Sequence, residues 1–176
     1  IPLEGTAILA QDFAGAARRL GLTAEDLDEA KALIEQVSVV PEALILAEAG
    51  ASAMHDVTDG GLLETLREIA ALSEVGIWVD NEKIPMPAVG LRFAQAFGFD
   101  PLRMISSGTL AAAVPPELVK AARSALDEAG IPYADIGLVG EGEGVHIQRG
   151  DKFLEYSGVQ SEGGELARMW EEYRVE

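Results

Sequence analysis

Ala53-Met54-His55-Asp56-Val57-Thr58-Asp59-Gly60-Gly61-Leu62 is the stretch on which the reading of this chain turns. Ser52 to Val57 is short, largely apolar and followed at once by a glycine pair, which predicts a buried strand running into a tight turn. Leu62, Leu63, Leu66, Ile69 and Ala70 then recur at helical spacing and predict an amphipathic helix ending near Ser73. The densest polar cluster of the chain therefore falls where a strand hands over to a helix. At such a point the first helical amides lack partners within the helix, the dipole adds positive potential, and glycines let a phosphate oxygen come close to the main chain. Asp56 and Asp59 would repel a bare phosphate, so the coherent version places Mg²⁺ between them and the ligand, or has one of them orient a donor. The competing local reading is that Thr58 or Asp59 only caps the helix while Gly60 and Gly61 shape the turn. His55 reads first as a hydrogen-bonded structural residue and second as an acid–base group.

Toward the N-terminus, apolar residues from Ala7 to Leu20 predict a first helix over Thr6 to Leu20, stopped by Gly21. Thr23 is a good N-cap, with Glu25 and Asp26 at the positive end of the dipole, and starts a second helix carrying Leu27, Ala30, Leu33 and Ile34. A third runs from Pro41 to Gly50. Val75 to Val79 is β-branched and aromatic enough for a strand, and Pro87 to Phe97 reads as a helix. Leu102 to Val114 suggests strand, bend, strand around Ser106-Ser107-Gly108. Glu117 to Ala129 forms a helix after Pro115-Pro116. Ile136 to Val139, Val145 to Gln148 and Phe153 to Tyr156 are short strands expected to form an antiparallel meander, with the acidic Gly140 to Gly144 loop as a hairpin. Leu166 to Tyr173 supplies a last helix. The expected fold is α/β (α+β), a mixed sheet packed with helices, in one domain over residues 1–176 without repeats or linkers.

Composition narrows the function classes. The 176 residues hold 30 acidic against 13 basic side chains, a formal charge of −17. Such a surface repels nucleic acid and anionic membranes, and the cations are scattered, with Arg18-Arg19 the longest run. No run of about 18 apolar residues and no signal-peptide pattern is present, so no membrane partner is expected and a cytoplasmic location is. Cysteine is absent, which removes disulfides, thiolate metal sites and cysteine nucleophiles. Chemistry must rest on oxygen and imidazole. The chain opens with Ile1 rather than Met, which suggests a segment of a longer protein.

Ser106-Ser107-Gly108-Thr109 is the second candidate surface, where small hydroxyls beside glycine could line a ligand; its alternative is a β-bulge or turn. His146, beside Gln148 and Arg149, looks ordinary. No Walker A loop, dinucleotide fingerprint, nucleophile elbow or zinc-type histidine spacing occurs.

Together these segments resemble the AIR-synthase superfamily. The stretch from Ala53 to Leu62 is similar to its strand-turn-helix signature as found in the hydrogenase-maturation branch and, more loosely, in selenophosphate synthetase and thiamine-monophosphate kinase. Val37-Ser38-Val39-Val40, Gly76 to Pro85, Asp100-Pro101-Leu102, Ile105 to Leu110 and Ala134-Asp135-Ile136-Gly137 fall in the order of that family's C-terminal half. The resemblance implies a two-domain, dimeric ATP-utilising enzyme. By that resemblance an N-terminal domain outside these residues supplies most of the ATP and Mg²⁺ site, and this domain closes the cleft on a small-molecule or protein-borne acceptor. It also implies site roles: Asp56 and Asp59 assisting Mg²⁺ or positioning the acceptor, His55 as a polar or acid–base group, and Thr58, Gly60, Gly61, Ser106, Ser107 and Gly108 facing phosphates and acceptor. The alternative is a non-catalytic binding or assembly module. Two departures stand out. The hydrogenase-maturation protein carries its reacting group on a C-terminal cysteine, whereas this chain has none and ends Arg174-Val175-Glu176, and Asp59 stands where that protein commonly has a basic residue.

Overall fold

The computed structural model describes residues 1–150, 152–158 and 164–173. Helices α1 (Glu4–Asp12), α2 (Ala14–Arg19), α3 (Ala24–Ala32) and α4 (Val40–Glu48) precede strand β1 (Ala53–Asp56) and helix α5 (Gly61–Ser73). Strand β2 (Gly76–Asp80), helix α6 (Ala88–Phe97), strand β3 (Leu110–Ala113) and helix α7 (Val119–Glu128) follow. Strands β4 (Gly137–Gly140), β5 (Gly144–Arg149) and β6 (Lys152–Tyr156) and helix α8 (Gly164–Tyr173) complete the described elements. The architecture is the expected α/β one, with a two-stranded ladder β1-β3 and a mixed sheet in the order β4-β2-β5-β6.

Two apolar clusters organise it. In the first, α1, α2, α3, α6 and α8 meet around Leu9, Phe13, Leu27, Phe93, Phe97 and Met169. Val89, Phe93 and Phe97 share one stripe of α6, and the two phenyl rings stack 5.9 Å apart. Helix α3 begins as its sequence dictates: Thr23 Oγ1 accepts from the Asp26 amide at 3.1 Å and Asp26 returns a bond to the Thr23 amide at 2.9 Å, a reciprocal cap that satisfies two orphan donors. Arg92 of α6 then reaches Asp26 at 2.6 Å and Glu29 at 2.5 Å, tying the two helices. In the second cluster α5 lays Leu62, Leu63, Leu66, Ile69 and Ala70 against Ile77, Val79, Val145 and Ile147, the inward-facing residues of the mixed sheet.

The structure corrects the sequence reading in three places. The first helix is broken at Phe13, whose backbone leaves helical geometry (φ −116, ψ 29) while its ring enters the core and meets Trp170 edge-on at 4.8 Å. In the expected strand-bend-strand only Leu110–Ala113 is a strand. The preceding carbonyls serve other elements, with Leu102 accepting from Leu63 and Ile105 from Gly5, so no ladder is available to them. Finally, β4, β5 and β6 form no meander. β2 enters between β4, to which it runs antiparallel, and β5, to which it runs parallel, so that of β4, β5 and β6 the last two alone pair with each other, antiparallel. Glycines make room for this: the Trp78 ring lies where a β-carbon at Gly76 would come within 2.5 Å and one at Gly142 within 3.2 Å, and the ring stacks on His146 at 5.1 Å.

Candidate functional site

Strand β1 and the start of α5 carry the polar cluster, and they are held by main-chain bonds on both sides. Val57 is fully buried; its amide donates to Thr109 O at 2.9 Å and its carbonyl accepts from the Ser106 amide at 3.1 Å. The two polar turns picked out in the sequence, His55 to Gly61 and Ser106 to Thr109, are thereby neighbours across Val57. Between Val57 and α5 the chain turns tightly, the Gly61 amide donating to Thr58 O at 3.0 Å.

The glycines of this turn work at close quarters. Gly60, with φ 84, occupies the N-cap position of α5 and no side chain caps the helix, so the reading of Thr58 or Asp59 as the cap is not what the structure shows. Gly61, with φ 69, stands where a β-carbon would come 2.5 Å from Leu102 O and 2.7 Å from Arg103 Cα. Both are buried, and the amides of Gly61 and Leu63 are used internally, the latter on Leu102 O at 3.2 Å. The expectation that the glycine amide of residue 61 points outward as a phosphate donor gives way to a packing role: with the turn pressed against residues 102–103, its donor is spent within the turn.

Side chains, in contrast, face out. The Asp56 side chain is 52% exposed, Asp59 is exposed and Thr58 partly so. His55 lies between acceptors. Its Nδ1 is 2.6 Å from the Asp56 carbonyl oxygen and its Nε2 is 3.0 Å from Glu68 Oε2, with Asp56 Oδ1 at 3.4 Å. A neutral ring can donate to only one of these acceptors and a protonated ring to both. Nothing in the sequence singles out Glu68; its approach to His55 exists only once α5 folds back along β1, with Thr65 Oγ1 donating to Asp56 O at 3.4 Å.

The second turn is built differently. Ser106 is fully buried; its Oγ accepts from the Leu3 amide at 2.9 Å and bonds Thr109 Oγ1 at 2.9 Å. The expected ligand-facing role of this hydroxyl is corrected: it is enclosed and committed to structure. Gly108, with φ 91, abuts the 3₁₀ turn at Leu33–Gln36, where a β-carbon would collide with the Gln36 carbonyl oxygen and stand 2.9 Å from Val37 Cα. Ser107 and Thr109 retain partial exposure.

Mg²⁺ prefers octahedral oxygen ligation and keeps several waters, so two exposed carboxylates suit it as partial ligands. Among the described residues no three His, Asp or Glu side chains gather closely enough to hold an ion by themselves. Any such ion would draw its remaining oxygens from phosphates, water or another domain.

The family model for the AIR synthase related protein, C-terminal domain, matches residues 1–150. Carbamoyl dehydratase HypE of Rhizobium leguminosarum bv. viciae is 41% identical over 73 residues, 42% of this chain and 21% of that protein. Thiamine-monophosphate kinase of Halobacterium salinarum is 39% identical over 107 residues, 58% of this chain and 35% of that protein. A crystal structure of hydrogenase maturation protein HypE in complex with ATP shares the fold with a TM-score of 0.61 at 26% identity, covering 71% of this chain and 40% of that one. In each case the match spans less than half of the other protein.

Proposed function

This chain belongs to the AIR synthase related protein family, matching the model of its C-terminal domain over residues 1–150, and from that membership we propose that it is the cleft-closing domain of an ATP-utilising enzyme. One observation carries the reading: the turn directs the carboxylates of Asp56 and Asp59 and the residue Thr58 toward solvent, while the Gly61 amide is spent within the turn. Such a lip is suited to a metal-bridged phosphate and not to a bare one. Asp56 and Asp59 would each offer an oxygen to Mg²⁺ bound with the nucleotide, and the ion when bound would neutralise phosphate charge. Thr58 supplies a hydroxyl donor beside them, and Ser107 a second from the neighbouring turn. The His55–Glu68 pair is placed to hold or pass a proton at imidazole Nε2, at the rim where an acceptor would approach. Ser106, Gly60, Gly61 and Gly108 fix the two turns against each other and act on the ligand only through that geometry.

An N-terminal nucleotide-binding domain and a homodimer belong to the same reading. The named relatives include a carbamoyl dehydratase and a thiamine-monophosphate kinase, so in this reading the acceptor is the property that divides them. The test is calorimetric titration of the full-length protein, and separately of residues 1–176, with Mg²⁺ and a non-hydrolysable ATP analogue. Binding by the full-length protein alone supports a composite site. No binding by either would overturn the enzymatic reading in favour of an assembly module.

A further inference from the structure

Helix α8 follows residue 150, where the family match ends, so membership alone gives it no role. Its body is anchored on the helical layer. Met169 is fully buried in the first apolar cluster, Trp170 meets Phe13 edge-on, and the Tyr173 ring meets Phe97 in the same way at 4.9 Å. Arg168 adds polar ties. Its Nη2 donates to Gly98 O at 2.8 Å, just past the end of α6, and its Nε donates to Glu165 Oε2 at 2.9 Å within the first turn of α8.

The start of the helix meets something else. Gly164, its first residue, is buried with φ 66, and a β-carbon there would lie 3.4 Å from the Gly60 nitrogen and 3.8 Å from Gly60 Cα. The glycine pair of the Asp-Gly-Gly turn therefore touches two different elements: Gly61 the backbone of residues 102–103, and Gly60 the first residue of α8. Docking of Met169, Trp170 and Tyr173 sets no requirement at residue 164, whereas a left-handed backbone at close quarters with Gly60 favours a residue without a β-carbon. Where backbone lies against backbone there is no side chain to absorb a displacement, and a packed interior passes it on. The residue next to Gly60 in the chain is Asp59, which carries one of the two exposed carboxylates of the turn.

We propose that α8 is a positioning strap: seated on the helical layer, it holds Gly60 in place and through it sets where Asp59 points. The strap's effect on ATP rests on the proposed nucleotide lip, while the dependence of the turn on α8 does not.

The test is hydrogen exchange of the full-length protein, read by mass spectrometry on the peptide that contains Thr58 to Leu62, together with the Kd for Mg²⁺ and a non-hydrolysable ATP analogue. Gly164→Ala presses a methyl group toward Gly60, and Trp170→Ala removes the ring that meets Phe13. Each should raise exchange of that peptide about threefold or more and weaken the analogue by a similar factor. Trp170→Phe, which keeps a ring for Phe13, should restore both toward the parent. Leu126→Ala, on α7 in a separate apolar cluster with Leu46 and Ala122, should leave the peptide as it is. Unaltered exchange in both α8 variants would overturn the proposal, and so would an equal rise in Leu126→Ala, which would make the effect a global loosening. Either result, with the parent still binding the analogue, leaves the ATP reading standing. Raised exchange with unaltered affinity in a parent that binds would overturn the setting of Asp59. Raised exchange in a protein that binds no nucleotide keeps the strap and removes the ATP reading. Trp170 is 43% exposed, so its replacement decides the matter even where Gly164→Ala fails to fold.

Discussion

The turns at His55 to Gly61 and Ser106 to Thr109 both set small hydroxyls beside glycines at positive φ, the first adding two carboxylates, and they are joined through Val57. They differ in which way their polar groups point. In the first, Asp56 is 52% exposed and Asp59 is exposed, while in the second Ser106 is 0% exposed with its hydroxyl bonded twice. One turn therefore spends its polar groups on solvent and partners, and the other on holding the first in place. A residue type that could bind a ligand is evidence of binding only after its hydrogen bonds have been traced.

The contrast can be broken most forcefully at Gly108. Gly108→Ala should cost about 3 kcal/mol, because a left-handed backbone and a collision with the Gln36 carbonyl act together; chemical denaturation measures it, and a loss below about 1 kcal/mol would mean that the turn yields and is no rigid support. Ser106→Ala, which leaves the Leu3 amide without its acceptor, should cost about 1–3 kcal/mol in the same assay. Asp56→Asn and Asp59→Asn should do the reverse: stability within about 0.5 kcal/mol of the parent, with ATP turnover of the full-length enzyme lowered at least about tenfold, or ΔΔG‡ of about 1.4 kcal/mol. Unchanged turnover in both variants would remove the proposed role of the lip.

Much of the fold and of the first turn is legible in the sequence. The strand-turn-helix at residues 53–73, though its strand is half exposed rather than buried as expected, and the Thr23 start of α3 follow from periodicity, glycine placement and capping chemistry, all of which are local. The rest is nonlocal. Whether Ser106 faces a ligand or Leu3 depends on α1 docking beside it, and no pattern within Ser106-Ser107-Gly108 encodes that. Glu68 looks like an ordinary solvated helix residue until α5 returns along β1. The entry of β2 between β4 and β5 has one visible trace, the glycines at 76, 140 and 142 that receive the Trp78 ring, but they read equally well as turns.

The smallest expected effect lies away from both turns and serves as their control. Asp26 is held below the ordinary carboxylate value, first by the Thr23 amide, then by the Thr23 hydroxyl, with Arg92 adding to it. A folded-state value below the unfolded one stabilises the fold above the unfolded value, and that contribution is lost as pH falls through the lowered one. Asp26→Asn should flatten the acid limb of the stability profile below about pH 4 and leave ATP turnover at neutral pH unchanged. A change in turnover would show that the α3–α6 tie is felt at the site.

The position of β2 has a consequence for a chain made from its N-terminus. Trp78 leaves the ribosome well before Leu138 and His146, the residues beside which it comes to rest. Until β4 and β5 have emerged, this strand has neither of its neighbours, and its inward residues can pack on elements already made, α5 among them. The helical layer can assemble earlier, around α1, α3 and α6. Synthesis thus orders the two halves in time, and the nascent protein is most vulnerable to off-pathway strand pairing between the appearance of residue 80 and that of residue 149.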